Sequence, residues 1–254
     1  MKVISLFSGS SGNCTVVELE KRTILIDAGG SARAICEGLN AIGSDICRVT
    51  DIFITHEHGD HTHALGALLK KYPVRVHMTS ATADALGIAE GSPLSYCLVR
   101  YGREYLLELP DCTVEAFEAP HDSACCVGYR ITEGNTSVGV VTDVGYITQR
   151  VYDRLCGCEA VVIEANHDVN MVKNGRYPAA LKRRILSGGG HLSNDCCAEI
   201  AAALARQGTK KLMLAHLSDE NNTPEAACAC VKNAVDAYGV SVVCAERDEA
   251  TVLM

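Results

Sequence analysis

The stretch Ile52-Phe53-Ile54-Thr55-His56-Glu57-His58-Gly59-Asp60-His61 constrains this chain more than any other. A short apolar run reads as a buried strand, and it ends abruptly in imidazole and carboxylate groups, the donors that divalent zinc and its neighbours prefer. Surface His/Asp runs occur in proteins that bind nothing, but here an apolar strand leads in and an apolar helix leads out. Spacing sharpens the reading. His56 and His58 lie two apart, so in extended geometry they project to the same side. Gly59 permits a turn that points Asp60 and His61 back at the same place. One pair can then hold one ion and the other pair a second, roughly 3.5–4 Å away, an arrangement suited to hydrolysis of phosphate esters and acyl compounds. It differs from His-Glu-x-x-His, where two histidines sit one helical turn apart.

His-Glu-His-Gly-Asp-His resembles the H-x-H-x-D-H signature of the metallo-β-lactamase superfamily, a specific motif. Further segments resemble the later landmarks of that superfamily: Ala119-Pro120-His121-Asp122-Ser123, Thr142-Asp143-Val144-Gly145 and Leu214-Ala215-His216-Leu217-Ser218. Each follows an apolar run, where a strand-end ligand belongs. The resemblance spans nearly the whole chain. It implies that His56, His58 and His121 hold a first metal, that Asp60, His61 and His216 hold a second, and that Asp143 bridges them. The cofactors implied are two divalent ions, zinc first, with manganese or iron suited to the same ligands. Hydroxide held between the ions is the implied nucleophile, and the ions offset the charge that builds up on the attacked group. In the superfamily the aspartate at the position of Asp27 orients the ligand loop; here it could equally cap the helix predicted from Ser31.

The chain of 254 residues is 48% hydrophobic, enough for a full core. The reading is one α/β domain over 1–254, with pseudo-repeat halves of roughly 1–135 and 136–254. Strands grouped by halves with helices on the outer faces fit a four-layer αβ/βα sandwich. No signal-peptide pattern opens the sequence and no apolar run approaches a membrane span, so a cytoplasmic protein without membrane attachment is expected. Fourteen cysteines include no C-x-x-C pair, so they read as reduced core fillers rather than a disulfide framework or zinc knuckle.

Along the chain, strands are predicted at Val3–Phe7, Cys14–Leu19, Thr23–Ile26, Val74–Val76, Arg103–Glu108, Cys112–Glu118, Val127–Ile131, Ser137–Val141, Ala160–Ile163, Lys211–Leu214 and Val240–Cys244. Helices are predicted at His61–Lys71, Thr79–Leu86, Thr148–Cys156, Asp195–Arg206 and Thr223–Ala237, the last capped by Thr223 with Pro224 at its first position. His63 reads as a helix-face histidine, and His77 has no assigned role.

A net charge of −8 argues against a protein that coats nucleic acid with its whole surface. The exception is Val169–Asn194, which has no Asp or Glu but contains Lys173, Arg176, Lys182, Arg183 and Arg184. It is either a solvated helix or a phosphate-binding wall. Gly188-Gly189-Gly190-His191-Leu192-Ser193-Asn194 leads into a helix, whose start suits an anion; a plain Ser193 or Asn194 cap is the bland alternative. In phosphodiesterase branches of the superfamily, including tRNase Z, a similarly placed histidine is thought to protonate the leaving oxygen, which makes His191 the candidate general acid beside the catalytic Asp60.

The Ser8–Asn13 loop, Glu164–Asp168, Lys182-Arg183-Arg184 before Gly-His-Leu-Ser-Asn, and His216 before Asn221-Asn222 together look like the YycJ/WalJ branch. That branch implies a DNA exonuclease running 5′ to 3′ and linked to DNA repair in bacteria. On this reading Ser10, Asn13, Asn166, His167, Lys182, Arg183, Arg184, Ser193 and Asn222 would line the substrate wall. The chain departs from longer nuclease relatives in lacking a β-CASP cap and an exosite arm, so affinity for DNA must come from the site walls. A thioester, lactone or cyclic-phosphodiester hydrolase with the same dinuclear site is the alternative, and a non-catalytic metal-dependent regulator a third class. A β-lactamase proper is disfavoured by the missing export signal and by Asp143 in place of a cysteine ligand. Sequence does not choose the metal, strand preference or oligomeric state.

Overall fold

Period-two alternation builds the architecture. In the computed structural model, which describes residues 1–254, two seven-stranded sheets lie face to face. The first contains β1 (Lys2–Phe7), β2 (Cys14–Glu18), β3 (Thr23–Ile26), β4 (Val49–Phe53), β5 (Arg75–Thr79) and β6 (Leu98–Tyr101). The second contains β7 (Tyr105–Glu108), β8 (Thr113–Glu118), β9 (Val127–Glu133), β10 (Thr136–Val141), β11 (Ala160–Glu164), β12 (Lys211–Ala215) and β13 (Ser241–Cys244). The short β14 (Thr251–Val252) returns to pair antiparallel with β1. Val3, Val17, Ile24 and Phe53 pack against Val114, Tyr129, Val138 and Val162 between the sheets. Their strand neighbours Ile4, Val16, Leu25 and Ile52 face outward beneath the helix Ala32–Ala41 and Leu65–Leu69. Val161, Ile163, Leu212 and Leu214 do the same beneath the helices Asn194–Arg206 and Pro224–Val235. Three apolar layers separate four layers of structure, which is the αβ/βα sandwich expected.

The seam between the sheets falls between Tyr101 and Tyr105, not near residue 135. The turn signal Glu133-Gly134-Asn135 is a tight hairpin inside the second sheet: Gly134, with φ +58°, closes it and pairs Glu133 with Thr136. The helix predicted over His61–Lys71 is broken into Gly59–Thr62 and Leu65–Leu69. Its backbone bonds go sideways instead: Ala28 N–H donates to the His61 carbonyl at 2.8 Å and Ala64 N–H to the Ala28 carbonyl at 2.9 Å. The helix Pro93–Cys97 and the edge strands β6 and β14 were not anticipated.

Strands β3 to β6 run parallel, as do β10 to β13. Their carboxyl ends therefore gather at one rim, where open α/β sheets place their sites. No helix is long and apolar enough to cross a membrane, and all fourteen cysteines are free thiols.

Candidate active site

Donor residues follow the strand ends. Asp27 leaves β3, Asp143 follows β10 and His216 leaves β12, and these are the only non-glycine residues with positive φ, at 65°, 55° and 55°. Left-handed backbone costs an L-residue roughly 1–2 kcal/mol, and it persists where the surroundings over-determine it, as at functional sites. Gly59, expected to supply the sharp turn, has ordinary backbone and open space where a Cβ would stand; the helix Gly59–Thr62 makes the turn. The glycine that is required is Gly29, whose Cβ would lie 1.9 Å from the Asp60 carbonyl oxygen and 2.4 Å from Asn13 N.

Four of the imidazoles, those of His56, His61, His121 and His216, are aimed by their Nδ1 atoms. His61 Nδ1 donates to Asp27 at 2.8 Å and His216 Nδ1 to Glu164 at 2.8 Å. His121 Nδ1 donates to the Gly190 carbonyl at 3.0 Å. His56 Nδ1 meets the Thr55 hydroxyl at 3.0 Å, and that hydroxyl donates to Asp27 at 2.9 Å. The Nε2 atoms are thereby turned into one shared space. Those of His56, His121 and His216 are buried with no hydrogen-bond partner, while His61 Nε2 lies 3.1 Å from Asp143 and 3.3 Å from Asp60. Orphaned buried nitrogens cost about 1–3 kcal/mol each, and three of them converging on carboxylates fit a divalent cation. Donor atoms of His56, His58 and His121 lie within 4.8 Å of one another, as do those of Asp60, His61 and His216, and those of His56, His61 and Asp143. All seven residues expected as ligands are thus in one place, with Asp143 in contact with both sets.

The metallo-beta-lactamase superfamily profile matches residues 8–145. The chain belongs to the metallo-β-lactamase superfamily. A protein named exodeoxyribonuclease YycJ, from Bacillus anthracis, is 35% identical over 237 residues, covering 93% of this chain and 90% of its own length. Exodeoxyribonuclease WalJ of Streptococcus pneumoniae is 36% identical over 228 residues, 87% of this chain and 83% of that one. The metallo-beta-lactamase fold protein YhfI of Bacillus subtilis, 16% identical, superposes with a TM-score of 0.73 over 99% of this chain and 98% of its own. The chain is therefore a metallo-β-lactamase superfamily hydrolase of the YycJ/WalJ branch, and divalent metal ions belong to its chemistry.

Glu164, the last residue of β11, was not expected among the functional residues. It is fully buried. Its Oε1 accepts from His191 Nδ1 and His216 Nδ1, both at 2.8 Å, and its Oε2 accepts from the N–H groups of Val144 and Leu192, both at 2.9 Å. Burial pushes its carboxyl up, but the imidazoles of His191 and His216 outweigh that and hold it at about 2. Burial lowers the His191 pKa while the Glu164 carboxylate raises it more, so the ring is held above its ordinary value. Its side chain keeps 18% exposure, and with Nδ1 engaged, Nε2 is the atom it can offer to a substrate.

Most of the expected substrate wall lies deeper than the sequence implied. Asn13 is buried and donates to Asp60 at 3.3 Å, beside His61 Nε2 at 3.2 Å. Asn166 donates to the His216 carbonyl at 2.8 Å, and Asn222 is paired with Asn194 at 2.9 Å. Ser193 caps the helix Asn194–Arg206 through Cys196 N–H, and the buried His167 pairs with it through backbone. These five support from behind the loops that carry the candidate ligands. Ser10 is exposed on the rim beside Asp60. Of the basic residues, Arg184 is ion-paired with Asp122, next to His121, and Lys182 Nζ donates to the Lys173 carbonyl at 2.8 Å. Arg183 is exposed and makes no ion pair. Asp27 takes up the orienting role and not the helix cap, which belongs to Ser31. His77 bonds Asp51 at 2.9 Å and Tyr101 at 2.9 Å, away from the site.

Carboxylates crowd this centre and draw positive charge into it. Burial lowers the His216 pKa, but Asp143, Asp60 and Glu164 push it up to about 10, and Asp143 and Asp27 hold His61 well above its ordinary value against the same burial. A cation entering must displace those protons, so uptake should release protons and tighten as pH rises. His216 sets the direction. Its raised pKa stabilises the metal-free fold fully below the unfolded value near ~6.5, and that contribution fades as pH climbs toward about 10. Added zinc or manganese should raise Tm, and the gap between loaded and EDTA-treated protein should widen from about pH 6 to about pH 8.5. A gap that narrows over this range would contradict the assignment.

Proposed function

We propose that this hydrolase is a DNA exonuclease that removes nucleotides from the 5′ end and uses two divalent ions, zinc first among them. The observation that carries the reading is the His191–Glu164 pair, an imidazole held above its ordinary pKa by a buried carboxylate beside the cation ligands. That pair suits an alkoxide leaving group, which needs a proton. The relatives named exodeoxyribonucleases, matched over most of both chains, support DNA as the substrate.

In this reading His56, His58 and His121 would hold one ion and Asp60, His61 and His216 the other, with Asp143 near both sets of donors. When bound, the ions supply activated water and offset the charge of the phosphoryl group. The protein supplies the rest. Asp27, Thr55, Glu164 and the Gly190 carbonyl fix the imidazoles in their orientations. Water attacks phosphorus, the P–O bond to the leaving nucleotide breaks, and His191 Nε2 passes its proton to the departing oxygen while Glu164 stabilises the ring throughout. The exposed Arg183, with Lys173 and Arg176, offers unpartnered charge to the backbone of the strand, while Arg184 steadies Asp122.

The test is digestion of DNA labelled at either end, with zinc and with manganese. Stepwise shortening from the 5′ end is expected. His191→Ala should slow it by about 10²–10⁴ at unchanged metal content. Intact DNA with both metals, together with turnover of a thioester or lactone, would transfer the chain to small-molecule hydrolysis. Metal lost from His191→Ala would make that residue a ligand.

A further inference from the structure

Between the segment Tyr146–Tyr152 and the start of the helix Asn194–Arg206 the surface opens into a pocket of about 380 Å³ that the mechanism does not use, lined in part by Leu192, the residue after His191. Tyr146, Ile147, Tyr152, Leu192 and Ile200 form its apolar walls, and Glu199 is the sole charged residue lining it. Both ends of the wall are tied to the reacting centre. Tyr146 lies three residues beyond Asp143, and Leu192 follows His191 and donates its N–H to Glu164 at 2.9 Å. The backbone before Tyr146 lies directly on the glycine loop: a Cβ on Gly145 would stand 2.1 Å from the Gly188 carbonyl oxygen. One part of the Tyr146 ring flanks Gly188, whose Cβ position is 3.4 Å from it, yet the residue is 53% exposed. A large aromatic seated on the glycine loop whose Gly190 carbonyl accepts from His121, and left half open, has a free face for stacking.

We infer that this pocket receives a base of the bound strand, that of the nucleotide on the leaving-oxygen side, with Tyr146 as its stacking platform. The inference rests on the exonuclease reading. Charge selects the occupant: with no Lys or Arg in the lining and one carboxylate present, a phosphate is repelled, whereas a flat neutral ring with polar edges is not. Size agrees, since the volume falls within the range of about 300–1,000 Å³ of small-molecule sites. Position agrees as well. In the proposed reaction His191 protonates the leaving oxygen, and the pocket wall includes Leu192 next to it in the chain, which assigns the pocket to the nucleotide carrying that oxygen. Stacking on an aromatic face is tolerant of sequence, because every base has such a face, and an exonuclease that shortens a strand stepwise needs that tolerance.

The test uses metal-loaded protein and oligonucleotides with one uncleavable linkage at the scissile position and 2-aminopurine on one side of it or the other. Wild type and Tyr146→Phe should quench the 2-aminopurine on the leaving side, and Tyr146→Ala should not. On cleavable DNA, Tyr146→Ala should raise KM by about tenfold or more, with a much smaller change in kcat. Phe should restore both readouts, because the ring and not the hydroxyl does the stacking. Tyr146→Ala that still quenches and keeps its KM would overturn this subsite while leaving the exonuclease reading in place. Quenching confined to the opposite side would overturn the placement. Wild-type protein that shortens no DNA would overturn both.

Discussion

Glu164→Ala is expected to lower the turnover of DNA by about 10³-fold or more, beyond the loss from His191→Ala. One buried carboxylate serves four donors: two imidazoles on Oε1 and two backbone N–H groups on Oε2. Removing it takes away the charge that raises the His191 pKa, so the proposed general acid holds its proton less firmly. It also frees the His216 ring, and losing such an orienting partner typically costs about 10–100-fold in metal affinity. Glu164→Gln should be nearly as harmful, which makes the prediction sharp. A carboxylate only accepts, whereas an amide must turn its NH₂ either toward the two imidazole N–H groups or toward the two backbone N–H groups. Either orientation sets donor against donor in a fully buried place. The measurements are kcat on end-labelled DNA, bound metal per chain, and the pH–rate profile. The limb assigned to His191 should move to lower pH in Glu164→Gln. Wild-type kcat and full metal content in that variant would remove Glu164 from the mechanism.

The ligands were legible because each one breaks an apolar strand at its end, a pattern local to a few residues. His56 to His61 announces itself, and His121, Asp143 and His216 each come just after a largely apolar strand segment. Glu164 carried a weaker signal of the same kind, a carboxylate directly after Ala160–Ile163, and its meaning depends on partners 27 and 52 residues away. A buried carboxylate must be paired, so it could have been flagged but not assigned. The wall residues went astray for the converse reason. Asn166, His167 and Asn222 look like polar loop residues, and only the packing of Ser193 and Asn194 across them shows that they face inward. The division into halves near residue 135 falls within the second sheet, because which strands pair, and not local turn chemistry, decides where one sheet ends. The edge strands β6 and β14 have too few residues to carry a pattern of their own.

Away from the site, Asp51→Ala is expected to destabilise the fold by roughly 3–5 kcal/mol. Asp51 sits inside β4 with no solvent exposure, and it joins Arg22 at 2.6 Å, Arg75 at 3.1 Å and His77 at 2.9 Å. Arg22 is shared with Asp111 at 3.0 Å, and His77 stacks on Phe53 with ring centres 4.4 Å apart, so the network reaches into the core between the sheets. Deleting the carboxylate leaves Arg22 with half its compensation and His77 with none on Nε2. The loss follows from that, not from the removed volume. Asp51→Asn separates the two causes, since it keeps the volume and removes the charge, and most of the loss should persist. The network also sets an acid limit. Burial pushes the Asp51 carboxyl up, but bonds from His77, Thr50 and Arg22 and the charge of Arg75 bring it down to about 2. A folded pKa below the unfolded value near ~3.9 gives stability that is present above that pH and fades as pH falls from about 4 through about 2. Urea midpoints for wild type and Asp51→Asn should therefore differ widely at pH 7 and converge toward pH 2. A difference that stays constant across that range would mean that Asp51 acts through shape rather than charge.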